Sequence, residues 1–260
     1  MKKFITALKS NTFIYILGVF FIIGIWYIIS LSQGHGNIVF PMPHETFAKT
    51  GEILSKAYIY KCIGWTVLRT FIGFGISFVS ALILGLLSGR FSKLYVFLKP
   101  LVIVLKSAPT AAFIFLFLIL VGSRFASIFI VILISFPILF EAVVGGLNSI
   151  SSEVNDAMKI DAGTNLKSFF QVKLPLAVPY IVVGLLSSLA LSFKTSIMAE
   201  IIAGDTNYGL GSAITAYRSM DPTDLTPIFA VTLIAVLLVL IVDILTLVIK
   251  FVLHKKQYIN

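Results

Sequence analysis

Charged side chains embedded in apolar sequence are the residues of this chain best placed to do chemistry. Arg69, Lys106 and Lys194 fall within or at the ends of long apolar stretches, where a charge is costly and normally faces a cavity or a partner. Lys194 stands among Ser187, Ser188, Ser192, Thr195 and Ser196. A hydroxyl-lined helix face with one cation can draw in an anionic or carboxylate-bearing solute, so Lys194, Ser188, Ser192, Thr195 and Ser196 form the candidate solute path. The same cation can instead pair, for structure alone, with an acid such as Glu200. Glu141 and Asp243 lie toward the ends of other apolar stretches and are expected to pair or snorkel rather than bind ligand.

Bond-making chemistry has no comparable candidates. His35, His44 and His254 stand apart in the sequence, neither HExxH nor GxSxG occurs, and there is no glycine-rich phosphate loop of Walker type. No Cys/His grouping has metal-ligand spacing, and the single cysteine, Cys62, can close no internal disulfide. Paired acids of the kind an intramembrane protease needs are not evident either. The expectation is a chain with no catalytic residue and no metal site that is not itself an enzyme.

The elements that position these charges follow from composition. The chain has 260 residues, 58% of them hydrophobic and 12% charged, with mean hydropathy +1.04, against roughly 25% charged residues in soluble domains. Twenty Lys+Arg and eleven Asp+Glu cannot clothe a soluble protein of this length, whereas lipid accepts apolar side chains facing outward. The fold class is therefore all-α integral membrane, one transmembrane domain over residues 1–260. Six spans are read near 12–31, 64–88, 101–121, 125–147, 176–203 and 227–251. The first apolar run exceeds the roughly 7–15 residues of a secretory h-region, so it reads as an uncleaved first helix.

Basic residues orient the spans. With the N-terminus inside, the inner segments hold Lys2, Lys3, Lys9, Arg90, Lys93, Lys99, Lys159, Lys167, Lys173, Lys250, Lys255 and Lys256, twelve in all. The outer segments hold five: Lys49, Lys56, Lys61, Arg124 and Arg218. The excess places both termini in the cytoplasm. This placement accounts for the net charge of +9 better than nucleic-acid binding, which is set aside.

Two segments between spans have their own character. Asn37 to Tyr60 opens with Pro41-Met42-Pro43 and sets Phe47, Leu54 and Tyr58 among Glu45, Lys49, Glu52 and Lys56, the pattern of an amphipathic helix on the outer membrane surface. Residues 148–175 form the large cytoplasmic loop. There Asp156 can meet the positive end of a helix dipole, Gly163 permits a sharp turn, and Pro175 suits the first turn of the next span. The second span carries Gly73, Ser77, Ala81, Gly85 and Gly89 at four-residue spacing, a stripe that lets another helix approach closely.

In the cytoplasmic loop, Asp156-Ala157-Met158, followed by Phe170, Val172-Lys173-Leu174-Pro175 and Pro179, resembles the EAA loop of permease subunits of ATP-binding-cassette (ABC) importers. Here Asp156 stands where the family usually has Glu, Met158 in place of the second Ala, and Ala162 at the usual Gly, with Gly163 one residue later. The resemblance extends over nearly the whole chain. It includes Pro41-x-Pro43, Thr66-Val67-Leu68-Arg69 with Gly73-Phe74, Pro100-Leu101, Pro109 through Gly122, and Ala199-Glu200 followed by Gly209-Leu210-Gly211. The similar branch is the nitrate, sulfonate and taurine type, which also includes permeases for bicarbonate and pyrimidine vitamin precursors.

The resemblance implies a type I importer permease fold with six transmembrane helices and short cytoplasmic coupling helices. Asp156, Ala157, Ala162, Gly163, Leu166, Phe169, Phe170, Leu174 and Pro175 would then dock on an ATPase. It also implies two separate ATPase subunits that hold the ATP and Mg, with no cofactor bound by this chain. A solute-binding protein outside and a second permease copy, as a homodimer, complete the assembly in a bacterial inner (plasma) membrane. Two alternatives stay open on sequence: an ion-gradient-driven secondary transporter, which should show internal repeats and acidic relay residues, and a membrane scaffold that transports nothing.

Overall fold

A computed structural model describes residues 11–32, 40–150, 153–154, 168–204 and 207–257. The described residues are almost entirely helical: α1 (Asn11–Ser32), α2 (Pro43–Leu54), α3 (Ala57–Arg90), α4 (Ser92–Ser107), α5 (Thr110–Val121), α6 (Ser123–Asn148), α7 (Leu174–Ala203), α8 (Leu210–Met220) and α9 (Thr226–Gln257). A π-helical turn, Phe169–Lys173, leads directly into α7. Five of these helices are long and apolar enough to cross a membrane, or six if the bent α4–α5 pair is one span. Their lipid-type surfaces are plain in α1, where Tyr15, Phe20, Phe21 and Ile28 are all exposed, as side chains facing hydrocarbon would be.

The expected third span, 101–121, is not one helix. It is α4 followed by α5, bent by 99° at a short break. The physical cause lies in Ala108-Pro109: a residue before proline is pushed out of the α region, and Ala108 takes ψ 140 while Pro109, at φ −61 and ψ 122, caps α5 without donating a hydrogen bond. At the far end of α5, Gly122 turns the chain into α6 with φ 75, a conformation that favours glycine.

One compact unit comprises the chain up to Tyr60 together with Ala213–Ile234. In it, Trp26 Nε1 donates to the Pro41 carbonyl at 3.1 Å, Ser30 Oγ donates to the Phe40 carbonyl at 2.8 Å, and Phe40 meets Phe229 edge-on at 4.8 Å. The amphipathic segment does form α2, but its buried face is Pro43, Thr46, Thr50 and Ile53. Phe47 is exposed, as an apolar side chain on a membrane surface would be, and rests its ring against Trp26 at 6.3 Å; Tyr58, expected on the same helix, belongs instead to α3. Lys49 and Lys56 both bond Glu52 at 2.7 Å and hold its carboxyl down at about 2.

The second unit comprises Lys61–Ser212 and Ala235 onward. Its small-residue stripe meets α6: a Cβ on Gly73 would lie 2.7 Å from the Ile128 carbonyl, one on Gly85 2.7 Å from Val143, and one on Gly89 would strike Leu147. Ser77 and Ala81 between them are fully buried. Only hydrogen at Cα allows this approach, as expected for a small-residue packing face. Phe74, Val102, Val131, Leu139 and Phe140 form one apolar core where α3, α4 and α6 meet. Ile114, Ile130 and Ala199 form another where α5 meets α6 and α7.

Candidate functional site

The break in the third span opens a pocket. Leu105, Lys106, Ala108 and Thr110 from the α4–α5 junction, Ile134, Pro137 and Ile138 from α6, and Leu191, Lys194, Thr195 and Met198 from α7 enclose ≈ 390 Å³. Each wall has a local reason. Pro109 ends α4 and turns the chain away, while Pro137 inside α6 cannot donate the helical hydrogen bond of its turn. Leu191, Lys194, Thr195 and Met198 recur at the i, i+3, i+4, i+7 spacing of one helix face.

Two ammonium groups reach this space. Lys106 Nζ bonds Glu141 Oε2 at 2.6 Å, with both side chains about half exposed, so the expectation that Glu141 pairs is met and its partner is a residue of the pocket wall. Lys194 is exposed and makes no ion pair among the described residues. Asp243 on α9 is half-buried.

The five residues of the expected solute path divide between two faces of α7. Lys194 and Thr195 line the pocket, with the Thr195 hydroxyl donating to the Leu191 carbonyl at 2.9 Å. Ser188, Ser192 and Ser196, at i, i+4 and i+8, are buried. Ser192 Oγ sits 2.7 Å from Ser135 Oγ of α6 and donates to the Ser188 carbonyl at 2.7 Å, so the proton between the two hydroxyls comes from Ser135. Ser188 donates to the Leu185 carbonyl at 3.0 Å, and Ser196 Oγ is buried without a hydrogen bond. A single hydroxyl face bearing the lysine is thus corrected to an interhelical seam of serines beside a pocket face with Lys194 and Thr195.

Glu200 does not pair with Lys194. Its Oε1 accepts from Arg69 Nη1 at 3.0 Å, and its Oε2 accepts from Thr66 Oγ1 at 2.8 Å and from the Gly211 amide at 3.1 Å. Thr66 Oγ1 also accepts from the Leu210 amide at 2.8 Å, and Arg69 Nη1 donates to the Tyr208 carbonyl at 2.7 Å. The guanidinium lies over the Trp65 ring at 5.5 Å. The pair is 8% and 0% exposed, and its neighbours satisfy the carboxylate on both oxygens, as a buried charge requires. Glycine is needed here for close approach: a Cβ on Gly209 would lie 2.7 Å from Glu200 Oε2, and one on Gly211 2.6 Å from Glu200 Cβ. Sequence reading marks Arg69 as a charge at depth and Glu200 only as a possible partner of Lys194, not of Arg69. The available signal was spacing: six residues apart on one helix, Lys194 and Glu200 are not neighbours.

At the other end of α7, Phe169 is 7% exposed and packs with Val143, Leu147, Ala177 and Ile181, while Leu174 is half-buried against the same cluster. Phe170 turns its ring edge to Phe169 at 5.4 Å and is 51% exposed. Pro175 is exposed in the first turn of α7. Asp156, Ala157, Ala162, Gly163 and Leu166 lie outside the described residues.

Residues 81–251 match the family described as binding-protein-dependent transport system inner membrane component. A probable ABC transporter permease protein of Brucella melitensis is 26% identical over 210 residues, covering 80% of this chain and 82% of that protein. The nitrate import permease protein of Leptolyngbya laminosa is 28% identical over 143 residues, 54% of this chain and 51% of that one. The bicarbonate transport system permease protein of Synechococcus elongatus is 28% identical over 189 residues, 68% and 67% of the two chains. Among solved structures, a chain of the MetNI methionine ABC transporter in an inward facing conformation aligns with TM-score 0.59 at 20% identity, over 75% of this chain and 94% of that chain. The likeness gives the fold, that of a type I importer permease.

Proposed function

The chain belongs to the family of binding-protein-dependent transport system inner membrane components and is an ABC importer permease subunit, and we propose that it carries a small anion. The observation that supports this reading is Lys194: an ammonium on a membrane helix, without an ion-pair partner among the described residues, at the wall of a pocket beside a broken span. An unneutralised cation in a low-dielectric wall attracts anions and repels cations, and discontinuous helices are a common way to build a transport site. Relatives named for nitrate and bicarbonate point to the same class of solute; sulfonates such as taurine, and vitamin precursors, belong to the wider branch. Thr195 stands beside Lys194 on the pocket wall, while Ser188, Ser192 and Ser196 are buried on the other face of α7, where they hold the seam that fixes the helix.

Two copies of the chain enclose the path as a homodimer, with both termini cytoplasmic in a bacterial inner membrane. Two ATPase subunits bind the ATP and Mg and hydrolyse the nucleotide, and a solute-binding protein delivers the anion from outside. The segment from Asp156 and Ala157 through Ala162, Gly163 and Leu166 to Phe170, Leu174 and Pro175 couples the two sides. ATP closes the ATPase pair, the coupling helices move with it, and the rigid α7 carries the displacement to the pocket, opening it outward. The π turn at Phe169–Lys173 lies on that route, and such turns interrupt a helix without ending it. The test is ATPase activity of the complex with its solute-binding protein: nitrate or bicarbonate should raise it, and stimulation by a neutral or cationic solute alone would overturn the anion reading.

A further inference from the structure

We propose that Glu141 sets the charge of the anion this pocket accepts, by cancelling one of its two lysines. The inference rests on the anion reading and deepens it. Three ionisable side chains meet at the pocket: Lys106 and Lys194 in its wall and Glu141 bonded to Lys106 at 2.6 Å. With all three charged, their sum is one positive charge, +1 +1 −1. A singly charged oxyanion neutralises that sum, whereas a doubly charged one leaves an excess negative charge in a low-dielectric wall. The Thr110 side chain on the same wall offers a hydroxyl to an oxygen of such an anion, whereas the Thr195 proton is already given to the Leu191 carbonyl.

The ion pair is built to act on the pocket rather than to stabilise the fold. Both side chains are about half exposed, and exposed pairs contribute little to stability. Its position is also particular: Lys106 belongs to the last turn of α4, one residue before that helix ends, while Glu141 comes from α6, one turn beyond the pocket residues Pro137 and Ile138. Holding Lys106 toward Glu141 leaves Lys194 as the cation free to meet the solute, with Lys106 as a donor already half-neutralised.

The test uses the permease assembled with its ATPase subunits in nanodiscs, without solute-binding protein, and measures binding of nitrate and of sulfate. Wild type should prefer nitrate. Glu141→Gln raises the pocket sum to +2 and should shift the sulfate-to-nitrate preference by at least about tenfold toward sulfate. Lys106→Met with Glu141→Gln restores the sum to +1 and should return the preference to nitrate, although the ion pair is gone. Lys194→Met lowers the sum to zero and should weaken both anions by at least about tenfold, the low end for losing a hydrogen bond to a charged group. A double variant that favours sulfate as strongly as Glu141→Gln would overturn the proposal, because the effect would then follow disruption of the pair and not charge. Unchanged preference in Glu141→Gln would overturn it too, while ATP-driven anion import by wild type would leave the anion reading standing. If wild type imports no anion at all, that reading fails and this inference fails with it.

Discussion

Arg69 and Glu200 are 131 residues apart in sequence, and no local pattern announces such a pairing. Each is legible as a charge inside an apolar stretch, but the partner is set by how α3 and α7 come together. Removing one member of a buried pair leaves an uncompensated charge and costs about 3–5 kcal/mol. Glu200→Ala is therefore expected to lower the thermal midpoint of the assembled complex sharply, and the double replacement Arg69→Met with Glu200→Gln should recover a substantial part, both read by thermal denaturation in detergent. Gly211→Ala places a methyl against the Glu200 stem and should cost on the order of 1–3 kcal/mol, as overpacking does. Lys194→Met behaves differently: with no ion pair among the described residues to break, assembly and basal ATP hydrolysis should persist while anion uptake falls. Helical spacing sets it opposite Ser192 and Ser196, a signal that reading all of them as one hydroxyl face overlooked, and the pocket it lines was not legible at all, because the other walls come from α4, α5 and α6.

Among the elements, the helices were legible where apolar runs are long and uninterrupted, as in α1, α6 and α7, and the stripe on α3 announced its packing face. The third span was read as continuous because apolar residues resume directly after Lys106-Ser107-Ala108-Pro109-Thr110; a proline alone does not say whether a helix kinks or turns through 99°. The coupling region divides in a way that sequence could not show. Phe169 and Phe170 are equivalent as apolar anchors by type, yet Phe169 is spent on the core of α6 and α7, and Phe170 stays half exposed. Phe169→Ala is thus expected to destabilise the permease itself, by about 3–5 kcal/mol for a buried phenylalanine. Phe170→Ala should leave its thermal midpoint nearly unchanged and instead weaken co-purification of the ATPase and uncouple hydrolysis from uptake. The reverse pattern would place the docking anchor on Phe169.

For the whole molecule, the long apolar helices followed from composition, five of them or six if the bent α4–α5 pair counts as one span, whereas sidedness rests on where the lysines and arginines fall. Cysteine labelling from outside, in a Cys62-free background, should reach positions near Lys49 and the exposed Arg218 and miss positions near Lys93 and Lys167; labelling at Lys167 from outside would invert the topology. The most direct test of anion import reconstitutes the permease with its ATPase and solute-binding protein in liposomes and follows labelled nitrate and bicarbonate with and without ATP. The expected result is accumulation that needs ATP, is lost with Lys194→Met, and is indifferent to an imposed proton or sodium gradient. Accumulation that follows the ion gradient and ignores ATP, or equal uptake by wild type and Lys194→Met, would contradict it.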